Sequence, residues 1–349
     1  MGFRANAVSK SVLKAIFEFQ EPVALSFLAK IWAFFSFFHL LLVRFKSEVF
    51  KHLRKDVWAF DEEEYTESFR VGKLNAVGDL GYSGSTFFTT PSSKLLIKSL
   101  PRRFEYTFFQ QDLLAPYVEH NESHPSSILV RITDFLYTPV PTLGSILGLA
   151  PPRHMVMENL LYGKLDDTWE TYDLKPNDYF FPERDLAGGV LTTERVKERL
   201  IDEFPDKVRL TRLQFDTFRS QLSQDTALLC KYNAVDYSLF LVRYPASRPL
   251  SDIPPPLGAQ DKSGDWRTGM TDSRGEWTYR VVVLDFFWAK HKLTPKVWTY
   301  TFGLFGRSTG HGDMTVTAEP EEYRRRFLKM IDTICIVEGD AGEQGGSSM

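Results

Sequence analysis

The sequence predicts an α+β chain in which a small β-rich lobe is followed by a larger, more helical C-terminal lobe. Three observations lead to this. Strand-like stretches dominate the first part, STFFTT (85–90), SKLLIKSL (93–100), ILVRITDFLY (128–137) and HMVMENL (154–160), with one helical pattern, FEYTFFQQDLLAPYVEH (104–120), set among them. The remainder is helix-rich, an order that segregates the two kinds of element. With 349 residues, 43% of them hydrophobic, the chain can bury one large core or two lobes.

The formal net charge is −3. This argues against a general nucleic-acid binder, while a local basic face stays open. Two cysteines, Cys230 and Cys335, make neither a disulfide framework nor a zinc cluster and suit a reducing compartment. The chain starts Met-Gly, but Asn6 stands where a myristoylation signal needs Ser or Thr, and no cleavable signal pattern follows. Val23–Val43 is an apolar run of 21 residues, the length that spans a bilayer. Lys30 and His39 interrupt it, so the reading favours a packed or dimer-interface helix over a span, with an interfacial membrane helix between the two. Residues 1–47 are therefore set apart as an N-terminal hydrophobic helical segment.

From Glu48 the pattern is globular. Val49, Leu53 and Val57 fall at helical spacing. Asp61–Glu64 suits a helix start, where carboxylates meet the positive end of the dipole. Gly81, Tyr82, Ser83, Gly84 and Ser85 form a small turn before two strands, and consecutive N–H groups in such a turn can wrap phosphate oxygens. Lys98 on the second strand can reach the same phosphates, and Glu105 is offered as its partner. The turn does not match G-x-x-x-x-G-K-[ST]. Arg195–Leu200 and 210–232 read as helices. Residues 247–277 are rich in Pro, Gly and Asp and read as a mobile surface loop, and 338–349 as a disordered tail.

Asp236 is a full charge within NAVDYSLFLV (233–242). Left unpaired among Val235, Leu239, Phe240 and Leu241, it would cost several kcal/mol. A second aspartate, Asp285, ends the apolar run VVVLDFF (281–287), 49 residues on. Two such aspartates, preceded by a Gly/Ser turn and a strand lysine, are the set phosphoryl transfer needs. One orients or deprotonates the attacking hydroxyl, the other holds Mg²⁺, and the lysine and turn hold the phosphate tail.

The motifs EVFKHLR, GYSGSTFF, LLIKSL, HMVMENL, TYDLK, VDYSLF, VVVLDF and EPEEYRRRF, in that order from Glu48 to Cys335, resemble those of the phosphatidylinositol phosphate kinase family. The resemblance implies a two-lobed protein-kinase-like (phosphatidylinositol phosphate kinase/SAICAR synthase-like) fold, with an antiparallel sheet in an N-lobe of about 48–160 and a C-lobe of about 161–337. It implies ATP and Mg²⁺ as cofactors and a phosphoinositide at the cytoplasmic face of a membrane as substrate, reached by a peripheral protein without nucleic-acid partners. By resemblance, Asp236 is the catalytic aspartate and Lys98 binds the ATP phosphates. Val156, Met157, Glu158, Asn159 and Leu160 form the hinge beside adenine, Asp285 is the metal ligand, and Asp173 and Lys175 line the cleft. A homodimer through the N-terminal region is a further expectation. The family follows TYDLK with Gly-Ser, whereas this chain has Pro176-Asn177, and proline stiffens the backbone and removes a donor.

The remaining clusters read more plainly. His120 and His124 have metal-ligand spacing but sit beside Asn121, Ser123 and Pro125 in an expected loop, without a third ligand. Arg324–Arg326, Arg102 and Arg103 are either solvated charges or a membrane-facing patch. Two function classes stand: an active lipid kinase, favoured by retention of Lys98, Asp236 and Asp285, and a kinase-shaped binding module without turnover.

Overall fold

The computed structural model describes residues 3–18, 31, 33–70, 72–77, 85–164, 167–176, 204–247, 265–289 and 319–338. The chain enters through helix α1 (Phe3–Phe17), strand β1 (Val43–Arg44), and α2 (Ser47–His52), which widens into a π-helical turn over Leu53–Val57. Then come α3 (Glu62–Arg70), β2 (Asn75–Val77), β3 (Phe87–Thr89) and β4 (Leu95–Ser99). Helix α4 (Arg103–Phe108) continues through a second π-helical turn, Phe109–Leu113, into α5 (Leu114–Ser123). Strand β5 (Ile132–Tyr137), the short α6 (Leu143–Ile146) and β6 (Arg153–Glu158) follow. Six strands pair in the order β1-β5-β6-β4-β3-β2, antiparallel throughout.

The rest of the chain builds β7 (Glu170–Leu174), β8 (Val208–Leu210), α7 (Arg212–Lys231), β9 (Ala234–Val235), β10 (Ser238–Pro245), β11 (Met270–Thr271), β12 (Trp277–Leu284), β13 (Trp288–Ala289), α8 (Pro320–Ile334) and β14 (Cys335–Val337). Strands β11-β12-β10-β7 form a second antiparallel sheet, and α7 packs on α8. The class is α+β, but the remainder is not the helix-rich part expected: among the described residues it carries eight strands, β7–β14, and two helices, because apolar runs such as Leu239–Val242 and Val281–Leu284 pair into a second sheet.

Local chemistry accounts for several boundaries. The Asp61 carboxylate accepts from the N–H groups of Glu63 (2.8 Å) and Glu64 (3.1 Å), so the acidic run caps α3 as expected. Thr211 caps α7 in a reciprocal capping box with Gln214.

Three further expectations are corrected. Ile31–Val43 is not one helix: its last residues turn into β1, and Leu40, Leu42 and Val43 are buried in the core. The six-stranded sheet thus begins inside the segment set apart as 1–47, and α1 buries Val8, Val12 and Ile16 in the same core. No helix among the described residues is long and apolar enough to cross a membrane. Of the two histidines expected in a loop, His120 does not lie in one, whereas His124 follows α5 directly, outside the helix. His120 sits on α5 and bonds the buried Asp225 of α7 at 2.6 Å, and Asp225 also accepts from Ser127 Oγ and the Ile128 N–H, both at 2.8 Å. Finally, 247–277 is not loop throughout. Trp266 and Arg267 are fully buried, and Met270–Thr271 is a strand. Arg195–Leu200 and 339–349 lie outside the described residues.

A buried ion network that no motif announced pins the sheet to its helices. Asp134 of β5, wholly buried, accepts from Arg44 Nε (3.2 Å), Tyr65 (3.0 Å) and Arg54 (3.4 Å). Arg54 in turn grips both oxygens of Glu62 at 2.6 and 2.8 Å. Buried charges persist only when paired and hydrogen-bonded in this way.

His154 of β6 is the opposite case. It is fully buried, and neither ring nitrogen has a hydrogen-bond partner among the described residues. Burial pushes its pKa down to about 3. The unfolded chain takes up a proton below the ordinary histidine pKa of about 6.5, which the folded chain refuses until near pH 3. His154 therefore costs nothing in charge above pH 6.5, and stability falls as pH drops from there toward 3, by a few kcal/mol on the order of the shift. Unfolding of His154→Leu by urea should show a flatter stability curve between pH 7 and 4.5 than the parent. Parallel curves would contradict this.

Candidate active site

The two aspartates are placed by one device. Strands β10 and β12 pair from Pro245↔Trp277 to Ser238↔Leu284, and β9 and β13 pair at Val235↔Trp288 and Ala234↔Ala289. Between these ladders both chains leave the pairing, one over Asp236–Tyr237, the other over Asp285–Phe287. Asp236 and Asp285 therefore lie opposite each other at the same break. Both adopt the left-handed backbone region, with φ of 62° and 63°. Asp tolerates this conformation better than bulky residues, yet each instance costs roughly 1 kcal/mol or more and persists only where the surroundings enforce it.

Packing supplies the enforcement. Tyr237 stacks edge-on against Tyr323 and Phe327 of α8, at centroid distances of 4.7 and 5.0 Å, and Tyr323 OH donates to its carbonyl at 2.5 Å. Phe287 meets Phe109, Phe286 meets Tyr117, and Trp288 Nε1 donates to Glu105 Oε1 at 3.2 Å. One aspartate is thus anchored to the last helix, the other to the long helix of the first sheet.

Each aspartate has a lysine. Lys98 Nζ pairs with Asp285 Oδ1. Lys175, just past β7, donates to Asp236 Oδ1 at 2.9 Å and to its carbonyl at 2.6 Å. The expected Lys98–Glu105 pair is replaced by these contacts. Glu105 is held by Trp288 and, at 3.7 Å, by Arg102. Burial raises its pKa, against the pull of nearby Lys98 and Arg102.

A cavity of about 340 Å³ opens between the two sheets. Its walls are apolar: Val77, Leu96, Met157, Leu160, Phe240 and Leu284 are among them. Its polar lining includes Lys98, Asp173 and Asp285. Of the expected hinge, Met157, Glu158, Asn159 and Leu160 line it. Val156 does not; it is buried on the far face of β6, one residue out of phase with Met157. Ser85 is buried and off the cavity. Gly81, Ser83 and Gly84 lie outside the described residues, as does the stretch 290–318. Asp236 and Lys175 do not line the cavity; they lie at the ladder break that also carries Asp285.

The polar side chains of the hinge are committed elsewhere. Asn159 donates to the Ser93 carbonyl at 2.7 Å. Glu158 Oε1 pairs with Arg267 Nη1 and accepts from the Arg131 N–H at 2.8 Å. Arg267 Nη2 also donates to the carbonyls of Ser127, at 2.7 Å, and Leu129. One guanidinium therefore ties β6 and the strand-like 127–129 segment to the turn before β11. Arg131, close by, has its pKa lowered to about 10 by burial and by the Arg267 charge. Arg267 escaped the sequence reading because its surroundings have loop composition; the adjacent Trp266 was the signal.

Residues 69–253, more than half of the chain, match the family described as phosphatidylinositol-4-phosphate 5-kinase. The chain belongs to that family. Lys98, the hinge, Asp173, Lys175 and Asp236 fall within the matched span, and Asp285 beyond it. A probable phosphatidylinositol phosphate kinase of Dictyostelium discoideum is 31% identical over 177 residues, 49% of this chain and 23% of that protein. The chain thus matches less than a quarter of that relative's length.

Arg267→Met should leave Glu158 as a buried, unpaired charge and cost about 3–5 kcal/mol of unfolding free energy. Adding Glu158→Gln should recover part of the loss. Denaturant titration of the three variants measures this. A loss below about 1 kcal/mol for Arg267→Met would deny the tie.

Proposed function

We propose that this chain transfers the γ-phosphoryl group of ATP to an inositol-ring hydroxyl of a phosphatidylinositol phosphate, with Mg²⁺, as a peripheral protein at the cytoplasmic face of a membrane. The observation that carries this is the pair of lysine–aspartate contacts at one break in the ladders, beside an apolar cavity. Family membership supports the lipid substrate.

The residues fit a nucleotide. The apolar walls suit a purine, with Met157 and Leu160 on the β6 side and Phe240 and Leu284 on the other. The Lys98 ammonium suits phosphate oxygens. They also fit Mg²⁺ carried with the nucleotide. Among the described residues no group of three or more His, Cys, Asp or Glu could hold an ion alone. Asp285 offers its carboxylate, 35% exposed, and Mg²⁺ commonly takes one or two carboxylates, with phosphate oxygens and waters completing its shell. Bound there, the cation supplies charge neutralisation on the phosphates.

The protein's own contribution is position. Lys175 fixes Oδ1 of Asp236, so the carboxylate is oriented before substrate arrives and its other oxygen takes the proton of the ring hydroxyl. Asp236 and Lys175 are largely shielded from water, which strengthens the field of that pair.

Purified protein should turn over ATP only with phosphoinositide vesicles, and a panel of headgroups identifies the acceptor. ATP binding with no turnover on any headgroup would make the chain a binding module instead. Asp285→Asn should lower turnover on the order of 10²–10³-fold with an unchanged melting temperature. Wild-type rates at low Mg²⁺ would remove Asp285 from the metal role. Lys98→Met should chiefly weaken nucleotide binding and turnover. A large loss of stability with ATP affinity intact would make Lys98 a structural residue.

A further inference from the structure

The connection from β5 to β6 carries a feature that catalysis does not use. Ile146, Leu147 and Leu149 are exposed, the first two at 61% and 60%. Beside them, Phe35 and Phe37 are exposed at 60% and 48%. The two segments are locked together. The Gly144 N–H donates to the Ser36 carbonyl at 3.1 Å, and a Cβ on Gly144 would fall 1.6 Å from the Phe37 carbonyl oxygen. Only glycine permits that approach. Thr142 and Ser145 close a capping box at the start of α6, the short helix that ends in Ile146.

The electrostatic surroundings discriminate between occupants. Neither 31–47 nor 138–152 contains an Asp or Glu. Two cations stand at the base of the patch, with the exposed Glu48 two residues beyond Lys46. Tyr137, the last residue before the connection, packs on Phe45; Arg153 lies over Tyr137 at 5.5 Å, and the exposed Lys46 over Phe45 at 5.7 Å. Large exposed aliphatic and aromatic side chains bordered by cations, with no acid in either segment, match the interface of an anionic bilayer.

We propose that Phe35, Phe37, Ile146, Leu147 and Leu149 form a wedge that inserts into the interface of an anionic membrane, with Lys46 and Arg153 against its headgroups. This rests on the lipid-kinase reading for its purpose, since the acceptor would lie in that membrane, but the binding can be measured without catalysis.

The test is co-sedimentation of the full chain with phosphatidylcholine vesicles, with and without phosphatidylserine, without ATP. The variant is Ile146→Ser/Leu147→Ser; both side chains are exposed, so the melting temperature should hold. Wild type should bind the anionic vesicles, and the double variant should bind at least about tenfold more weakly. A second arm uses a short-chain, water-soluble phosphoinositide. The variant should match wild type on it and fall behind only on vesicles. Failure of wild type to turn over either substrate counts against the kinase reading alone. Equal vesicle binding by wild type and variant overturns the wedge. So does a concentration-dependent dimer in sedimentation that the double substitution abolishes, because the patch would then be an interface between two copies.

Discussion

The site depends on one interruption of pairing. Strands β10 and β12 hold register over eight residue pairs, and β9 and β13 resume it beyond the break. A continuous ladder would have turned Asp236 and Asp285 into ordinary strand residues on alternating faces. The break puts each aspartate into a left-handed turn opposite the other, and the aromatic residues that follow, Tyr237, Phe286 and Phe287, pay for the strain by burial. Lys98 and Lys175 then reach in from β4 and from the end of β7, so four strands meet at two carboxylates.

The second constraint is the buried arginine that joins the sheets. Arg267 bonds Glu158 and two carbonyls of the 127–129 segment. Leu129 in turn bridges Val283 of β12, and the Val130 N–H donates to the Val283 carbonyl at 2.9 Å. The strand that ends in Asp285 and the strand that ends in the hinge are thereby held through common partners. Glu158 Oε2 has no hydrogen bond among the described residues, which makes the tie sensitive: the carboxylate depends on Arg267 and one backbone N–H.

Much of this was legible in the sequence, for a physical reason. Asp236 and Asp285 stand out because a charge in an apolar run demands compensation, and Lys98 because it follows a small-residue turn on a β-rich strand. Those are local contrasts that a one-dimensional reading can see. The strands carrying the aspartates showed as apolar runs, but the sheet they build with β7 did not, and the remainder read as helix-rich. What stayed hidden was pairing across distance. Lys98 was matched to Glu105 by proximity in sequence, whereas Asp285 lies 187 positions away. Asp134 pairs with Arg54 and Arg44 across 80–90 residues, and these contacts leave no motif. Arg267 sat in loop-like composition, and Val43 ended a run whose hydrophobicity resembled a helix until the sheet claimed it. Val156 was assigned to the cleft because a five-residue motif does not say which face each residue takes.

The most direct measurement is a crystal structure with Mg²⁺ and a non-hydrolysable ATP analogue. The account predicts that the Lys98 ammonium leaves Asp285 for a phosphate oxygen, that Asp285 takes Mg²⁺ at about 2.1 Å, and that Lys175 remains on Asp236. Nucleotide bound outside the apolar cavity, or Mg²⁺ bound while Lys98 stays on Asp285, would contradict it.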